Sequence, residues 1–576
     1  MARFRGFPTM SFLPVLVSIT LLLARATAED PAFPDPCQSY TYNPSDTLPY
    51  GRANFPPGFV FGTATSAYQV EGAANQSCRG PSVWDKFAHQ FPERIADRSN
   101  GDVAIDMYNL FVEDIQRMKY MNVDAYRLSI SWSRVIPYGK RSTGVNREGI
   151  DFYHRVIDLL KQNGIEPYVT IWHWDTPQAL EAEYGGFLSR DIVKDFEDYC
   201  DLLFEEYGGK ITKWITLNEP VTYVMRGYDE GLMAPGRCST WVNHACLAGN
   251  SGTEPYIVTH NLLLAHAAGY RLYQQKYKAS QGGEVGITIV TFWFVPYTDT
   301  TADIDAAQRS LDFMYGWYMD PITYGHYPRN MIDLVGSRLP TFTSEESRSL
   351  KGSYDFLGLN YYTAYYSMNN PNFDPEHLEY LKDSHAITTA TGANGELIGP
   401  ELGTSWQYLY PQGLQYLLNY TKDTYRNPHI YITENGLSQE DDPTQSIEEA
   451  TQDDTRISFY DSHLDSVLQS MIGYNVNVSG FFAWSFADNY EWNDGYSVRF
   501  GFYYIDYTDG QLTRYPKSSA CWYTNFLNRN APTGQTLIRQ KTIHSDKLQA
   551  QPTARRPSAA GGRRALPRRP RQFSRW

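Results

Sequence analysis

The sequence has little cysteine and little positive charge, and it lacks a long internal apolar run. Six cysteines in 576 residues are too few for a disulfide scaffold. Lys and Arg number 50 against 64 Asp and Glu, a net charge of -14, so we expect no nucleic-acid partner. The only long apolar run lies near the N-terminus, and no membrane span is expected in the body of the chain.

The chain contains enough apolar and aromatic residues to form a large core. Apolar residues make up 42% and aromatic residues 15%, with 45 Tyr and 13 Trp. This composition excludes a wholly disordered chain. The length does not by itself require several domains, because α/β barrels are often long single domains.

The first 28 residues have the pattern of a cleavable secretory signal. Two arginines precede an apolar stretch, and Ala26-Thr27-Ala28 is a small-residue cleavage site. The alternative, a membrane anchor, is disfavoured because the apolar stretch is short for a span. We therefore expect a signal peptide over residues 1–28, an N-terminal extension over 29–53 and entry into the secretory pathway. The vacuole, the endoplasmic reticulum and the extracellular space are all open destinations.

Residues 529–576 are predicted to be a C-terminal extension. From residue 547 it contains nine Lys and Arg and no Asp or Glu, with many Ala, Pro and Gly, so it cannot bury a core and is expected to be disordered. We expect this extension to have no role in catalysis, and the alternative is that it binds a polyanion. Without these nine residues and the three Arg of the signal, 38 basic residues face 64 acidic ones, a net charge of -26.

Disulfides and N-glycans become possible in the secretory pathway. Cys238 and Cys246 lie close together in a segment that contains Gly and Ser, and their spacing predicts a disulfide. Asn75, Asn419 and Asn477 each begin an Asn-X-Ser/Thr tripeptide and are candidate glycan acceptors if they are exposed.

Eight short runs rich in β-branched and aromatic residues recur between residues 54 and 528, without a linker or low-complexity tract. They begin at Phe59, Ala125, Pro167, Trp214, Val285, Phe356, Ile430 and Gly480. Between them lie segments with helical spacing of apolar residues, such as the one that stops at Gly164. The pattern predicts a single α/β domain over 54–528, a (β/α)8 TIM barrel with long loop insertions at its C-terminal face.

Polar and aromatic side chains end several of these runs. They are Arg127, His173, Asn218, Glu219, Asn360, Tyr362, Glu434, Asn435 and Trp484. Chemistry in such barrels takes place at the C-terminal ends of the strands. Ordinary strand caps would explain any one of these residues. They explain less well why Glu219 and Glu434 both follow apolar strands, because burying an unpartnered carboxylate is costly.

Two carboxylates facing each other across a barrel mouth are the minimal apparatus for cleaving a glycosidic bond. One protonates the leaving oxygen, and the other attacks the anomeric carbon or activates water. A dinuclear metal site is the competing use. His173 is the clearest imidazole ligand, and the chain has neither HExxH nor clustered histidines, so we expect no metal and no cofactor.

The motifs around these residues resemble those of glycoside hydrolase family 1, in particular its plant β-glucosidases. The motifs are YRLSISWSR (126–134), HWDTPQ (173–178), TLNEP (216–220), NYYT (360–363), ITENG (432–436) and DNYEW (488–492). The resemblance covers about residues 54–528. It implies a retaining β-glucosidase that hydrolyses β-D-glucosides of plant secondary metabolites through a covalent glucosyl-enzyme. Glu219 would be the general acid/base and Glu434 the nucleophile.

The same resemblance implies a glucose pocket. Sugar hydroxyls would be bound by Gln69, His173, Asn218 and Glu491, with Trp484 as the platform and with Trp492 and Phe500 closing the pocket. Arg127 would stabilise ionised Glu434, and Tyr362 would donate a hydrogen bond to it. Esterification of Glu434 would remove its charge and let Glu219 become the base, with carboxyl groups about 5 to 5.5 Å apart.

The chain also resembles the myrosinases, the thioglucosidases of this family that cleave glucosinolates. Typical myrosinases have Gln at the acid/base position, where this chain has Glu219. Arg226 matches one of two arginines thought to hold the glucosinolate sulfate, whereas Phe292 replaces the other. Arg226 could instead pair with Asp229 or Glu230. An O-β-glucosidase is therefore expected ahead of a thioglucosidase.

The sequence also bears on whether the protein is catalytically active and on what its partners are. A catalytically inactive sugar-binding protein is disfavoured because both carboxylates and their motifs are present. Hydrolysis and transglycosylation use the same residues, so both stay open. The expected partner is a small-molecule β-glucoside, and a homo-oligomer is left open.

Overall fold

The computed structural model describes Cys37 and residues 51–528. The predicted signal peptide, most of the N-terminal extension and the C-terminal extension lie outside the described residues. The account that follows concerns residues 51–528.

Eight parallel strands form a closed barrel. They are β1 (Val60–Ala64), β2 (Ala125–Ser129), β3 (Glu166–Trp172), β4 (Lys213–Asn218), β5 (Glu284–Val290), β6 (Phe356–Asn360), β7 (Ile430–Asn435) and β8 (Val478–Trp484). Each strand pairs with the next one along the chain, and β8 pairs with β1 to close the ring. Every strand starts within two residues of a predicted run. The predicted (β/α)8 barrel is therefore confirmed.

Helices cover the outside of the barrel and connect its strands. The longer ones are Met107–Tyr120, Arg147–Gln162, Ile192–Tyr207, Glu254–Leu272, Thr301–Leu311, Pro411–Thr424, Asp454–Tyr474 and Ser518–Phe526. The helix Arg147–Gln162 shows why these segments form: it buries Ile150, Tyr153, Ile157 and Leu160, one apolar stripe at helical spacing. It ends just before Gly164, whose φ of 75° suits a residue without a Cβ.

Short helices and turns fill the connections. The short α-helices are Ala67–Val70, Val83–Gln90, Trp132–Val135, Gln178–Tyr184, Pro220–Val224, Lys278–Gln281, Trp317–Tyr324, Arg329–Val335, Ser344–Leu350, Tyr380–Asp383 and Ile447–Ala450. The 3-10 turns are Arg52–Asn54, Pro92–Arg94, Arg141–Thr143, Gly186–Leu188, Gly336–Arg338 and Trp492–Asp494, and the π-helical turns are Met225–Asp229, Tyr273–Tyr277 and Asp312–Gly316. Most of the short α-helices follow the C-terminal ends of barrel strands.

Small sheets account for much of the remaining chain. Trp293–Pro296, Ala364–Asn369 and Ala386–Thr389 form one sheet after β5 and β6. Gln439–Glu440 pairs with Val498–Arg499, and Tyr503–Ile505 pairs with Arg514–Pro516. These sheets lie in segments that follow β5, β6, β7 and β8, so the long connections are on the C-terminal side of the strands.

The segment after β4 contains a disulfide between Cys238 and Cys246. Asn75 and Asn477 are exposed, as a glycan acceptor must be. Asn419 does not meet that condition, because it lies in the helix Pro411–Thr424 and is only 8% exposed. In residues 51–528, no helix combines the length and apolar character that crossing a membrane requires.

Buried ion pairs hold the connection after β8. Asp488 accepts a hydrogen bond from Lys517 Nζ at 2.7 Å and another from Arg499 Nη1 at 2.7 Å. Its Oδ1 also accepts from the backbone N–H of Gly501 at 2.9 Å. Burial lowers the pKa of Lys517 to about 8, against the opposing attraction of Asp488. One carboxylate therefore satisfies two buried cations and one backbone donor.

Replacing Asp488 by Asn should destabilise the fold strongly. The change leaves Lys517 buried without its direct counter-ion and leaves Arg499 with Asp441 alone. An uncompensated buried charge of this kind typically costs about 3–5 kcal/mol in the free energy of unfolding. Denaturant unfolding followed by tryptophan fluorescence measures the effect. Asp198→Asn is the matched control, because the Asp198–Lys194 pair is on the surface and should change the value by no more than about 1 kcal/mol. Equal stability of the two variants would contradict this reading.

Candidate active site

The predicted polar residues meet at the C-terminal ends of the barrel strands. Glu219 directly follows β4 and Glu434 lies near the end of β7, and their side chains come from strands on different sides of the ring. Glu219 is 6% exposed and Glu434 is 3% exposed. The barrel therefore buries two carboxylates near each other, and the partners of each decide what it can do.

Glu434 is held by one cation and one phenol. The buried guanidinium of Arg127, from β2, forms an ion pair with Oε1. Tyr362 Oη donates to Oε2 at 2.7 Å. Both oxygens thus accept hydrogen bonds, one of them charge-assisted. This environment suits an ionised carboxylate in a fixed orientation.

Glu219 has no direct cationic partner among the described residues. Asn360 Nδ2 donates to Oε1 at 2.6 Å, and Thr222 Oγ1 lies 2.9 Å from Oε2. Burial, and secondly the negative charge of Glu434, raise the pKa of Glu219 to about 8. The carboxyl group is therefore protonated at neutral pH.

The backbone at Glu219 explains how its side chain reaches the barrel mouth. Its φ of 41° and ψ of 57° lie in the left-handed region, which turns the chain sharply after β4. Pro220 then begins a short helix, Pro220–Val224, at the position where a missing N–H costs nothing.

A hydrogen-bond chain ties the two carboxylates to the sugar-binding residues predicted from the sequence. Arg127 Nη2 donates to Asn218 Oδ1 at 2.6 Å, and Asn218 Nδ2 is 2.9 Å from His173 Nε2. Burial, and secondly the charge of Arg127, lower the pKa of His173 well below its usual value. His173 is therefore neutral, with Nε2 as the acceptor. Its Nδ1–H has no partner in the described part of the chain and is free to donate to a hydroxyl.

Gln69 and Glu491 lie side by side at the barrel mouth. Gln69 Nε2 donates to Glu491 Oε2 at 3.2 Å and also to Asn489 Oδ1 at 2.8 Å. The other Glu491 oxygen, Oε1, is buried and has no hydrogen-bond partner within residues 51–528. Burial raises the pKa of Glu491 well above its usual value. An unsatisfied buried acceptor of this kind is a ready partner for a ligand hydroxyl.

Aromatic rings surround these polar groups. The His173 ring is stacked against Trp484 at 6.1 Å and against Trp492 at 5.8 Å between ring centroids. Phe500 meets the Tyr362 ring edge-on at 6.3 Å. Polar groups framed by aromatic faces match what a sugar ring presents, namely hydroxyls around an apolar face.

Arg226 is paired within its own turn. Its Nη1 donates to Glu230 Oε2 at 2.9 Å, and its charge also acts on Asp494. Asp229, the other partner considered, instead accepts backbone N–H groups. Phe292 is half-buried and contacts the rings of Tyr365 and Trp406, at 5.3 and 6.4 Å between centroids.

Sequence reasoning missed several residues of the site. Thr222 was detectable in principle, because it stands three positions after Glu219 on a helix and so faces it. Thr433, which donates to Asn360 Oδ1 at 2.7 Å, was also accessible from strand alternation. Trp406 comes from a long irregular segment, and no sequence signal places it here. Within residues 51–528, no set of three or more His, Cys, Asp or Glu side chains could hold a metal ion.

Known proteins resemble this chain in sequence and in fold. A family model described as glycosyl hydrolase family 1 matches residues 51–532. β-Glucosidase 12 of rice, Oryza sativa subsp. indica, is 52% identical over 489 residues, which cover 85% of this chain and 95% of that protein. The isoflavonoid 7-O-β-apiosyl-glucoside β-glycosidase of Dalbergia nigrescens is 51% identical over 486 residues, 84% and 87% of the two chains. A solved structure of a rice β-glucosidase mutant in a covalent complex with Glc has 47% identity and a TM-score of 0.82, and covers 83% of this chain and 100% of that one.

The environment of Glu219 predicts a directly measurable titration. Its carboxyl group should titrate near pH 8, and Glu434→Gln should lower that pKa because a neighbouring negative charge is removed. Infrared difference spectroscopy against pH measures the carboxyl band, which Glu219→Gln identifies by deleting it.

Glu181→Gln is the control for this titration. It removes another buried carboxyl group, whose pKa burial raises to about 7 and which is not among the charges acting on Glu219. The Glu219 band should titrate in this variant as in the unmodified protein. An unchanged Glu219 titration in Glu434→Gln would show that the two carboxylates are not coupled.

Proposed function

This chain belongs to glycosyl hydrolase family 1, and we propose that it hydrolyses β-D-glucosides of plant secondary metabolites with net retention at the anomeric carbon. The observation that carries the proposal is the difference between the surroundings of two neighbouring carboxylates. Glu434 faces the guanidinium of Arg127, whereas Glu219 is buried without a direct cation among the described residues. One group is thereby prepared to attack and the other to give a proton.

In the first step, a Glu434 oxygen bonds to the anomeric carbon while the bond from that carbon to the leaving oxygen breaks. Glu219 gives its proton to the leaving oxygen, and the aglycone departs as a neutral alcohol. Arg127 and Tyr362 fix the attacking carboxylate in place. The product is a glucosyl ester of Glu434.

In the second step, water replaces the aglycone. The ester has no negative charge, so one of the influences that raise the pKa of Glu219 disappears. Glu219, now ionised, takes a proton from water as the water oxygen bonds to the anomeric carbon and the bond to Glu434 breaks. Two displacements at one carbon give net retention, and a carboxyl separation of about 5 to 5.5 Å stays the prediction.

The glucose ring is proposed to lie against Trp484, with its hydroxyls bound by polar groups at the barrel mouth. The unpartnered Glu491 Oε1 supplies an acceptor and His173 Nδ1–H supplies a donor. Gln69 and Asn218 already hydrogen-bond these two residues, which supports a role in orienting them as well as in contacting sugar. Trp492 and Phe500 would close the pocket.

The aglycone is proposed to be uncharged and aromatic, attached through oxygen. Arg226 is paired with Glu230, and its charge also acts on Asp494, so Arg226 does not present an unpaired positive charge to a sulfate. Aromatic rings stand where a second arginine would be needed, with Phe292 beside Trp406. The similarity to an isoflavonoid glycoside β-glycosidase supports this substrate class.

Entry into the secretory pathway is also part of the proposal. The disulfide between Cys238 and Cys246 supports it, because structural disulfides form in oxidising compartments. The exposed positions of Asn75 and Asn477 are compatible with N-glycans.

Glu219→Gln tests both catalytic assignments together. Glucosides with poor leaving groups should lose activity by about 10²-fold or more, because the leaving oxygen receives no proton. An activated aryl glucoside should still glucosylate the enzyme, and mass spectrometry should find the added glucose on the peptide that contains Glu434. Azide, which needs no general base, should restore turnover. Equal losses for all leaving groups, or an adduct on another residue, would contradict the assignments.

The choice of aglycone is tested by comparing uncharged aryl O-β-glucosides with a glucosinolate. The O-glucosides should have the higher kcat/KM, and Arg226→Ala should change that value by less than about 3-fold, since Arg226 is already paired with Glu230. Glu230→Gln, which frees Arg226, should improve relative activity on the sulfated substrate. A glucosinolate preference that disappears in Arg226→Ala would favour the thioglucosidase alternative.

A further inference from the structure

We propose that Thr222 is a positioning residue for Glu219, whose hydroxyl accepts a hydrogen bond from the protonated acid and donates one to the carboxylate. The inference rests on the proposed function, in which Glu219 alternates between these two states. It assigns to Thr222 the task of holding one oxygen of the acid/base through the whole cycle.

The local fold places Thr222 beside Glu219. The Thr222 N–H donates to the Glu219 carbonyl at 3.1 Å, in the first turn of the helix Pro220–Val224. The Thr222 Oγ1 lies 2.9 Å from Glu219 Oε2. Its neighbours Val221 and Tyr223 are buried, whereas Thr222 itself is half-buried and faces the mouth with Glu219. The side chain is thus fixed by the helix, and its hydroxyl hydrogen can still rotate.

The other oxygen of Glu219 meets a group that can only donate. Asn360 Nδ2 lies 2.6 Å from Oε1, while Asn360 Oδ1 accepts from Thr433 Oγ1 at 2.7 Å. Thr433 Oγ1 is in turn 3.3 Å from Thr288 Oγ1. Gly358 leaves room for this chain, because a Cβ there would lie 2.3 Å from Thr288 Oγ1. The chain keeps the Asn360 amide from turning, so Oε1 is always an acceptor.

The proton of Glu219 is therefore carried by Oε2. A hydroxyl both donates and accepts, whereas an amide N–H only donates. Before substrate binds, the Oε2–H group donates to Thr222 Oγ1. With substrate present, that proton passes to the leaving oxygen as its bond to the anomeric carbon breaks, and Thr222 then donates to the ionised Oε2. The same oxygen later takes a proton from water.

Other charges act on Glu219 and must be unchanged in the test. Glu434 from β7 raises its pKa, and Arg127 from β2 lowers it. Tyr362, after β6, also faces Glu219. None of these residues hydrogen-bonds Thr222 in the described part of the chain, so a substitution of Thr222 changes one partner of Glu219 only.

Thr222→Val tests the proposal, and Thr222→Ser is its control. Valine has the same shape without the hydroxyl, so the carboxylate of Glu219 loses one donor and its pKa should rise by about 0.5 to 1 unit. Two limbs of the pH profiles should move to higher pH together. The first is the alkaline limb of kcat/KM, which reports Glu219 as the acid. The second is the acid limb of kcat for an activated glucoside, which reports Glu219 as the base. Serine should restore the unmodified profile.

Each outcome has a definite meaning. The proposal would be overturned if the pH profiles of Thr222→Val coincided with those of the unmodified enzyme. It would also be overturned if the profiles of Thr222→Ser shifted as those of Thr222→Val do. The Glu219→Gln variant separates the two levels of inference. If the alkaline limb persists in Glu219→Gln, the acid role of Glu219 fails, and with it the premise. If that limb disappears while Thr222→Val has no effect, only the role of Thr222 fails.

Discussion

The ion pair between Arg127 and Glu434 is the interaction on which the rest of the site depends. Two carboxylates buried near each other at one end of a barrel cannot both ionise without a counter-charge. The guanidinium of Arg127 contacts Glu434 directly and is oriented by Asn218, which it also contacts. The charge of Arg127 therefore decides which of the two carboxylates is the anion. Glu219 is left protonated by its burial and by the negative charge opposite it.

The barrel makes this division possible because it brings side chains from distant parts of the sequence to one rim. Arg127, Glu219 and Glu434 come from β2, β4 and β7, and parallel strands end at the same edge. The rim also has a second layer. The end of β8 supplies Trp484, and the segment after it supplies Glu491. The buried Asp488, with its two cations, fixes the part of this segment that leads to Phe500. The ion pairs of Asp488 thus stabilise the segment that carries pocket residues, whereas the two catalytic carboxyl groups change their charge during the reaction.

The eight strands could be predicted because a parallel strand buried on both faces reads as a continuous apolar run, and the residues that end each run then follow from the fold. Interactions made by loops could not be predicted in the same way. The sequence allowed Arg226 to contact a sulfate, Asp229 or Glu230, and the turn Met225–Asp229 selects Glu230. Asn419 has an acceptor tripeptide, but it lies on a helical face turned inward. The spacing of apolar residues predicts helices and strands, whereas the partner of a charged side chain depends on how two loops approach each other in the folded protein.

The body of the chain is strongly acidic, and this bears on how an internal proton donor is maintained. Residues 29–546 carry a formal charge of -26, and most of these charges are screened by solvent at distances beyond about 8 to 10 Å. Glu219 instead responds to groups within its own cavity, where solvent does not intervene. Besides burial and the charge of Arg127, three neighbours set its protonation: the anion Glu434, whose charge disappears during catalysis, the Asn360 amide, which only donates, and the Thr222 hydroxyl, which can either donate or accept. Of these three, only two change as the proton moves: Glu434 loses its charge, and the Thr222 hydroxyl changes from acceptor to donor. These two residues therefore determine when Glu219 acts as an acid and when it acts as a base.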